Sequence, residues 1–397
     1  MFRIFVSATR SRALCAAVLI GFVWTCVGRG APDPACTVHV AAGQSIQGAI
    51  NSASSGDTVC VGPGAFHENL LIAKDGITLK GAGPGITVLE PSDHPRSVCV
   101  ELLFASVDYE NNGVNGICVA NVDADGHELG VVNDVRVAGF TIQGFHGAGI
   151  VFANTNRPRA DHNVAANNQG YGITAYHSTH GKFQYNVSYG SHDAGFYVGV
   201  SPDADFTVQD NAAFADLWGV LIRDSSGGRV RDNLLYGNCA GLVFWNTGIT
   251  TGVHNWRASH NIAAHNDEFC AAKDTGLPFT LTGTGVLIAG GEHILLQENR
   301  VRVNQPGGDT TTMDGVPLFT GGIVVVSSAD ISAFSGYYGS DASHNLILKN
   351  TVVDNRPFDL VYDGKGTGNR FVSNTCGTSS PDGLCRSRRL EDTSDNN

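Results

Sequence analysis

From about Val135 onward, the apolar residues fall in short runs that alternate with polar ones, and the runs belong to one recurring unit. Each unit has a short strand, an Asn, eight or nine further residues, a Gly, and then an alternating apolar strand. The asparagines are Asn163, Asn186, Asn211, Asn233, Asn261, Asn299, Asn350 and Asn374. The glycines are Gly149, Gly172, Gly195, Gly219, Gly241, Gly285 and Gly322, with Asp359 in that place in the last full unit. Early glycine intervals are 23, 23, 24 and 22 residues; later ones lengthen to 44, 37 and 37, as loop insertions near 267–283, 305–320 and 329–343 would produce. A period of this length with several short strands predicts one coil of a parallel β-solenoid, because a single coil cannot bury its apolar face and stacking coils about 4.8 Å apart makes a continuous core.

The alternation assigns faces. Ile150/Phe152, Ile173/Ala175, Phe196/Val198, Val220/Ile222, Leu242/Phe244, Val286/Ile288, Ile323/Val325 and Leu360/Tyr362 should point inward after each Gly. Before each Asn, the residues Ala160, Phe183, Val208, Val230, Ala258, Leu296, Ile347 and Phe371 should form a second inward column. The repeated Asn belongs at a sharp turn, bonding turn backbone and the Asn of the next coil. A leucine-rich solenoid would show Leu at fixed offsets and fewer Val/Ile/Phe alternations. At the other end, Ile46, Ala49, Ile50 and Ala53 make an apolar helical stripe that would cap the first coil.

The N-terminus changes the picture of compartment. Arg3, Arg10 and Arg12 precede an apolar run to Cys26 and the small residues Gly28, Gly30 and Ala31, the layout of a secretory signal peptide over residues 1–30. A lipoprotein with Cys26 lipidated is the weaker reading, since Val-Trp-Thr before it is a poor match. Without that segment the chain has eight cysteines, an even number that reads as four disulfides in an exported protein. Cys36 with Cys60, Cys99 with Cys118, Cys239 with Cys270, and Cys376 with Cys385 are the expected pairs. Losing four arginines leaves 21 basic against 37 acidic side chains. That excess argues against nucleic acid or an anionic membrane as partner. No later stretch is long and apolar enough to span a bilayer.

The segment "SIQGAINSASSGDTVCVGPGAFHENLLIAKDGITLKGAG" resembles the opening of right-handed parallel β-helix proteins of the pectate-lyase-like superfamily. The later "N…GI" coils resemble the repeats of secreted bacterial β-helix proteins, including NosD-type periplasmic proteins. The resemblance spans roughly residues 37–385. It implies an all-β, single-domain right-handed parallel β-helix over residues 31–385, with a short N-terminal capping helix and a disordered tail at 386–397. The superfamily hosts lyases, hydrolases, esterases, epimerases and non-enzymes, so fold alone does not choose among them.

Candidate chemistry comes from the outward columns of the strand after each Gly. One holds Val151, Thr174, Tyr197, Leu221, Val243, Leu287 and Val324; the other holds Ala153, Tyr176, Gly199, Arg223, Trp245, Ala289 and Val326. An apolar face carrying Tyr176, Tyr197 and Trp245 suits stacking on sugar rings, unless the inserted loops pack over it. Tyr176 and Trp245 would lie three coils, roughly 14 Å, apart. A lyase or epimerase needs a base, a cation for the uronate carboxylate and a proton donor, and Tyr176, His177 and Arg223 are the candidate catalytic set. Tyr197, Trp245 and Asn246 are the candidate substrate-binding residues. Asp203 and Asp205 of "SPDAD" are a candidate calcium site, and otherwise no cofactor is expected.

Mannuronan epimerase-like β-helices carry a Tyr-Gly-x-Asp-Pro-His signature. Here Tyr189-Gly190-Ser191-His192-Asp193 has the acid and imidazole transposed and no proline, so that assignment is not carried over. His192 and Asp193 read as turn residues, like Gln169, Asp216 and Asn238 in other coils. Lys182, Thr207, Arg229 and Arg257, with Arg231 beside them, form a basic stripe of the kind that either is solvated or holds an anionic glycan. The leading expectation is a secreted, monomeric protein that binds polysaccharide and modifies it by lyase or epimerase chemistry. The alternative is a non-catalytic cell-wall or glycan-binding protein, or a NosD-like metal-handling accessory.

Overall fold

The computed structural model describes residues 35–93, 114–123, 127–271, 274, 280–308, 319–329 and 339–385. The signal-peptide and tail expectations lie outside them. Three long parallel sheets run the length of the solenoid, one of 12 strands and two of 11. The first runs from Val38–Val40 to Arg370–Val372, the second from Gly64–His67 to Thr375–Cys376, and the third from Leu70–Ile72 to Ser379–Ser380. Each coil contributes one strand to each sheet, so every strand pairs with its counterpart one coil away, as in Ile173↔Phe196 and Phe196↔Val220. The described exception is an antiparallel ribbon, Asn121–Val122 with Glu128–Gly130, that stands off the third sheet's end of an early coil.

The predicted inward columns form the core. Phe152, Phe183, Phe196, Val208, Ile222 and Phe244 are fully buried in one continuous cluster, and Tyr362 and Phe371 close its far end half-buried. At the near end the helix Ile46–Ser52 lays Ile46 and Ile50 on the first coil. Its start is held twice over. Ser45 accepts from Gly48 N, and the Glu68 carboxylate accepts from the Ile46 and Gln47 amides.

Three polar ladders stitch the corners. Between the first and second sheets, each Asn Oδ1 accepts the backbone N–H of the preceding coil's Asn, while each Nδ2 donates to a core carbonyl; Asn186, Asn211 and Asn233 repeat this at 2.9–3.1 Å. A second ladder, at the corner before the third sheet, runs through Asp216, Asn238, Asn266, Asn304 and Asn355. Asp216 and Asn238, read as polar turn residues, are thus buried members of a ladder at that turn. A third, of Ser178, Ser201 and Ser225, follows the third sheet. The ladder glycines are explained by close approach: a Cβ on Gly219 would lie 2.7 Å from the Gly241 carbonyl oxygen.

The insertions fall where the glycine intervals place them. Cys239 and Cys270 are bridged across the first one, and Cys36–Cys60 and Cys376–Cys385 are bridged near the two ends. Cys118 is also disulfide-bonded, but its expected partner, Cys99, lies outside the described residues.

Asp216 replaces an amide by a carboxyl inside the second ladder. Its Oδ1 accepts from Ser191 N at 2.7 Å, and its Oδ2 is buried with no hydrogen-bond partner among the described residues. Burial pushes this carboxyl up to about 8, against the opposing bonds from Ser191 and Ser188. A carboxyl raised in the folded state keeps its stabilising proton below the unfolded value, and stability falls as pH climbs toward the folded one. The slope is about 1.4 kcal/mol per pH unit. Asp216→Asn, which restores the amide donor, should therefore gain stability over wild type steadily from pH 5 to pH 8. Urea denaturation across that range checks this, and parallel pH profiles for the two proteins would refute it.

Candidate active site

The outward columns of the third sheet point away from the core, and of the two readings of that face, open to a sugar or covered by the inserted loops, the covered one holds. Val151, Thr174, Tyr197, Leu221, Val243, Leu287 and Val324 are all at most 3% exposed. All but Thr174 belong to a second apolar cluster that includes Leu281 of the first insertion and against which Cys270 and Phe319 pack. Trp245 is 7% exposed and lies beside Trp218, with ring centroids 6.0 Å apart. Tyr197 and Trp245 are thus covered and cannot stack on a sugar where they stand. Asn246 is committed elsewhere. Its Nδ2 donates to Ser340 Oγ at 2.7 Å and its Oδ1 accepts from Gly248 N, so it fastens the end of an insertion.

What remains open is one edge of this face. Register aligns Tyr176, Gly199, Arg223 and Trp245 on successive coils. Gly199 is required there, because a Cβ at 199 would collide with the Tyr197 hydroxyl. The Tyr197 ring thus folds over Gly199 and brings its phenol between Tyr176 and Arg223. Arg223 is partly buried, its guanidinium 5.8 Å from the Trp245 ring centroid and its Nε 3.3 Å from the Asp224 carboxylate. Asp224 is fully buried and accepts from the Thr247 and Gly248 amides as well.

His177 is exposed at the next position, its ring 4.0 Å from that of Tyr176. Its Nδ1 lies 3.2 Å from Glu128 Oε1 of the antiparallel ribbon. A carboxylate on Nδ1 holds the proton there and leaves Nε2 with a free lone pair. Burial pushes the Tyr176 phenol up, helped by Glu128 and opposed by Arg223, so the group keeps its proton at neutral pH. Tyr197 is pushed up likewise, by burial, against Arg223.

Asp193 belongs to the same neighbourhood, although its place in the sequence reads as an ordinary turn. Tyr171, Trp218 and Ala194 lie around its carboxyl and favour the charged form. Tyr171 in turn packs on Tyr197 with ring centroids 4.7 Å apart. Burial raises the Asp193 carboxyl to about 6, while the Tyr171 bond and Arg223 hold it down. The signal for this was available: Tyr171, Ala194 and Trp218 each stand one residue before a ladder Gly, forming a further outward column. Glu128 carried no such signal.

The "SPDAD" acids are elsewhere. Asp203 and Asp205 are exposed, and among the described residues they join no group of three or more side chains able to hold a metal. Asp205 instead lines a shallow pocket of about 330 Å³ with Arg229, Asn255 and Arg257 on the first sheet. Tyr189 ends a strand of the second sheet and stacks on Phe214, so Tyr189-Gly190 is remote in role from the third-sheet edge.

A family model described as a right handed beta helix region matches residues 97–269. In fold the chain is a right-handed parallel β-helix. Among solved structures, the A-module of mannuronan C-5 epimerase AlgE6 from Azotobacter vinelandii aligns with a TM-score of 0.58 at 17% identity, covering 83% of this chain and 81% of that one. The AlgE4 A-module from the same organism gives 0.56 at 16%, covering 83% and 82%. The Dettilon tailspike protein gives 0.51 at 15%, covering 86% and 60%. No curated protein sequence matches. Likeness at these identities is likeness of fold.

The Asp193 assignment has a direct test. Carboxyl NMR should find Asp193 titrating near pH 6, and Tyr171→Phe, which deletes a bond to the ionised form, should move that midpoint upward. A midpoint near pH 4, or no response to the substitution, would count against it.

Proposed function

We propose that this β-helix is an exported polysaccharide-modifying enzyme acting on uronate-containing chains at the Tyr176–His177–Arg223 edge. The observation that carries the reading is the Glu128–His177 pair set beside Tyr176 and Arg223 on one rim of the third sheet. Two of the fold's structural neighbours are, by name, epimerases of mannuronan, a polyuronate. Three described disulfides, and the absence of any helix among the described residues long and apolar enough to cross a membrane, support export.

In this reading Arg223 neutralises the sugar carboxylate, which lowers the cost of charge on the carbon beside it. His177 Nε2 removes the proton from that carbon, oriented by Glu128 through Nδ1. The electron pair then has two outcomes. If it forms a double bond and expels the glycosidic oxygen, the Tyr176 phenol gives that oxygen its proton and the chain is cleaved. If instead that phenol reprotonates the carbon from its other side, the residue is epimerised with the chain intact. The Tyr176 phenol keeps its proton at neutral pH, as a donor must.

A specific observation favours a second reading, glycan binding without catalysis. Lys182, Thr207, Arg229 and Arg257 stand in register on the first sheet, and Arg159 extends the line by one coil. Burial, together with Arg231 and Arg159, pushes the Lys182 amine down, as crowding among like charges would.

Incubation with polymannuronate, polyguluronate and pectate, read by unsaturated-uronate absorbance and by NMR of the product, separates these. The catalytic reading expects turnover on one of them, a fall of about 100-fold or more in kcat for His177→Ala, and a smaller fall for Glu128→Gln. Arg223→Lys should act chiefly on kcat/KM. No product by either assay, or full activity in His177→Ala, would overturn it. Salt-sensitive binding lost in Arg229→Ala/Arg257→Ala, without turnover, would establish the second reading in its place.

A further inference from the structure

We propose a divalent transition-metal site at Glu292, His293 and His344, far along the solenoid from the third-sheet edge and independent of its chemistry. Among the described residues these three form the group whose ligand atoms all lie within 4.8 Å of one another. Glu292 Oε1 is 3.3 Å from His344 Nδ1 and 3.6 Å from His293 Nδ1. Two ligands of one tetrahedral ion, each with a bond of 2.0–2.1 Å, are separated by about 3.3–3.5 Å. The carboxylate oxygen thus already stands at ligand-to-ligand distance from His344 and just beyond it from His293.

The coil repeat makes this arrangement. Gly227, Asn255, His293, His344 and Gly368 occupy one corner of successive coils, and each has a positive φ. A side chain in that slot leaves the corner in the same direction on every coil. Two consecutive histidines therefore stack, with ring centroids 5.1 Å apart and planes 9° from parallel. On the far side Gly368 leaves room for the His344 ring, since a Cβ there would lie 2.5 Å from its Cδ2. The two rings stand nearly parallel and half exposed, so one of them turns about its side-chain torsions to bring both in-plane lone pairs onto one ion. All three ligands are exposed, which leaves remaining coordination positions to water. Two imidazoles and one carboxylate suit zinc, copper(II) or nickel, and not calcium or magnesium, which take all-oxygen sets.

The position gives the site a consequence. The insertions at 305–320 and 329–343 both lie between Glu292 and His344 in sequence. An ion shared by His293 and His344 would tie the coil before them to the coil after them.

The test is calorimetric titration of the full chain with Zn²⁺, with the visible absorption of the Co²⁺ form as a second readout. His293→Asn and His344→Asn are the variants of choice, because Asn tolerates positive φ and is a poor ligand for these ions. One saturable equivalent is expected in wild type and lost in each variant, with His192→Ala, an exposed imidazole elsewhere, unchanged. Saturating Zn²⁺ should raise the Tm of wild type and not of either variant. The absence of a saturable site, or a site that persists unchanged in both Asn variants, would overturn the proposal.

Discussion

Everything in this molecule depends on satisfying buried backbone at the corners of a coil. Strands of two to six residues pair along their length, but each turn between sheets exposes N–H and C=O groups to an apolar core. The Asn ladder answers this with one side chain that both accepts and donates: Asn211 Oδ1 takes the Asn186 amide while its own Nδ2 bonds the Phe183 carbonyl. Because each amide also bonds the next, the ladder fixes the vertical register of every coil. The faces of all three sheets, and every column of side chains on them, follow from that register.

The register is also why so much of the fold could be read from the chain. Alternation in a strand such as Phe196-Tyr197-Val198 has one solution when one face is a core, and Phe196 and Val198 are indeed buried. The second ladder was harder to read, since polar residues at a turn look alike whether they face water or the interior. Asp216 and Asn238 stand five residues after Asn211 and Asn233, the slot that Asn168 fills after Asn163, whereas the exposed Gln169 stands one residue further on.

The site was legible in part. Tyr176, His177 and Arg223 share an edge because they share positions in the repeat. That the insertions could cover the third sheet was legible, but which residues do so was not, because Leu281 and Phe319 reach it from segments that have no period. Glu128 is another such case. It lies 49 residues before His177 and meets it through a ribbon outside the repeat. A repeat predicts the contacts it imposes and is silent on those made by what interrupts it.

The second ladder is irregular in one place, and that place bears on function. The coil beginning at Asn186 has Ser191 where its neighbours have Asn168 and Asp216, and Ser188 stands in a core column otherwise built of Ala165, Ala213 and Leu235. Asp216 meets both serines, and its Oδ2 lies 2.5 Å from where a Cβ on Gly195 would be. A buried carboxyl, a core serine and a half-satisfied oxygen all weaken this coil relative to those above and below. The same coil carries Asp193, Tyr197 and Gly199, which form the floor between Tyr176 and Arg223. Local departures from an otherwise consistent pattern tend to be retained where a site requires them. Here the departure lies at the start of the third-sheet strand whose far end is that edge, whereas the basic line crosses the same coil at Lys182 beside an unbroken Asn ladder, which argues for the edge.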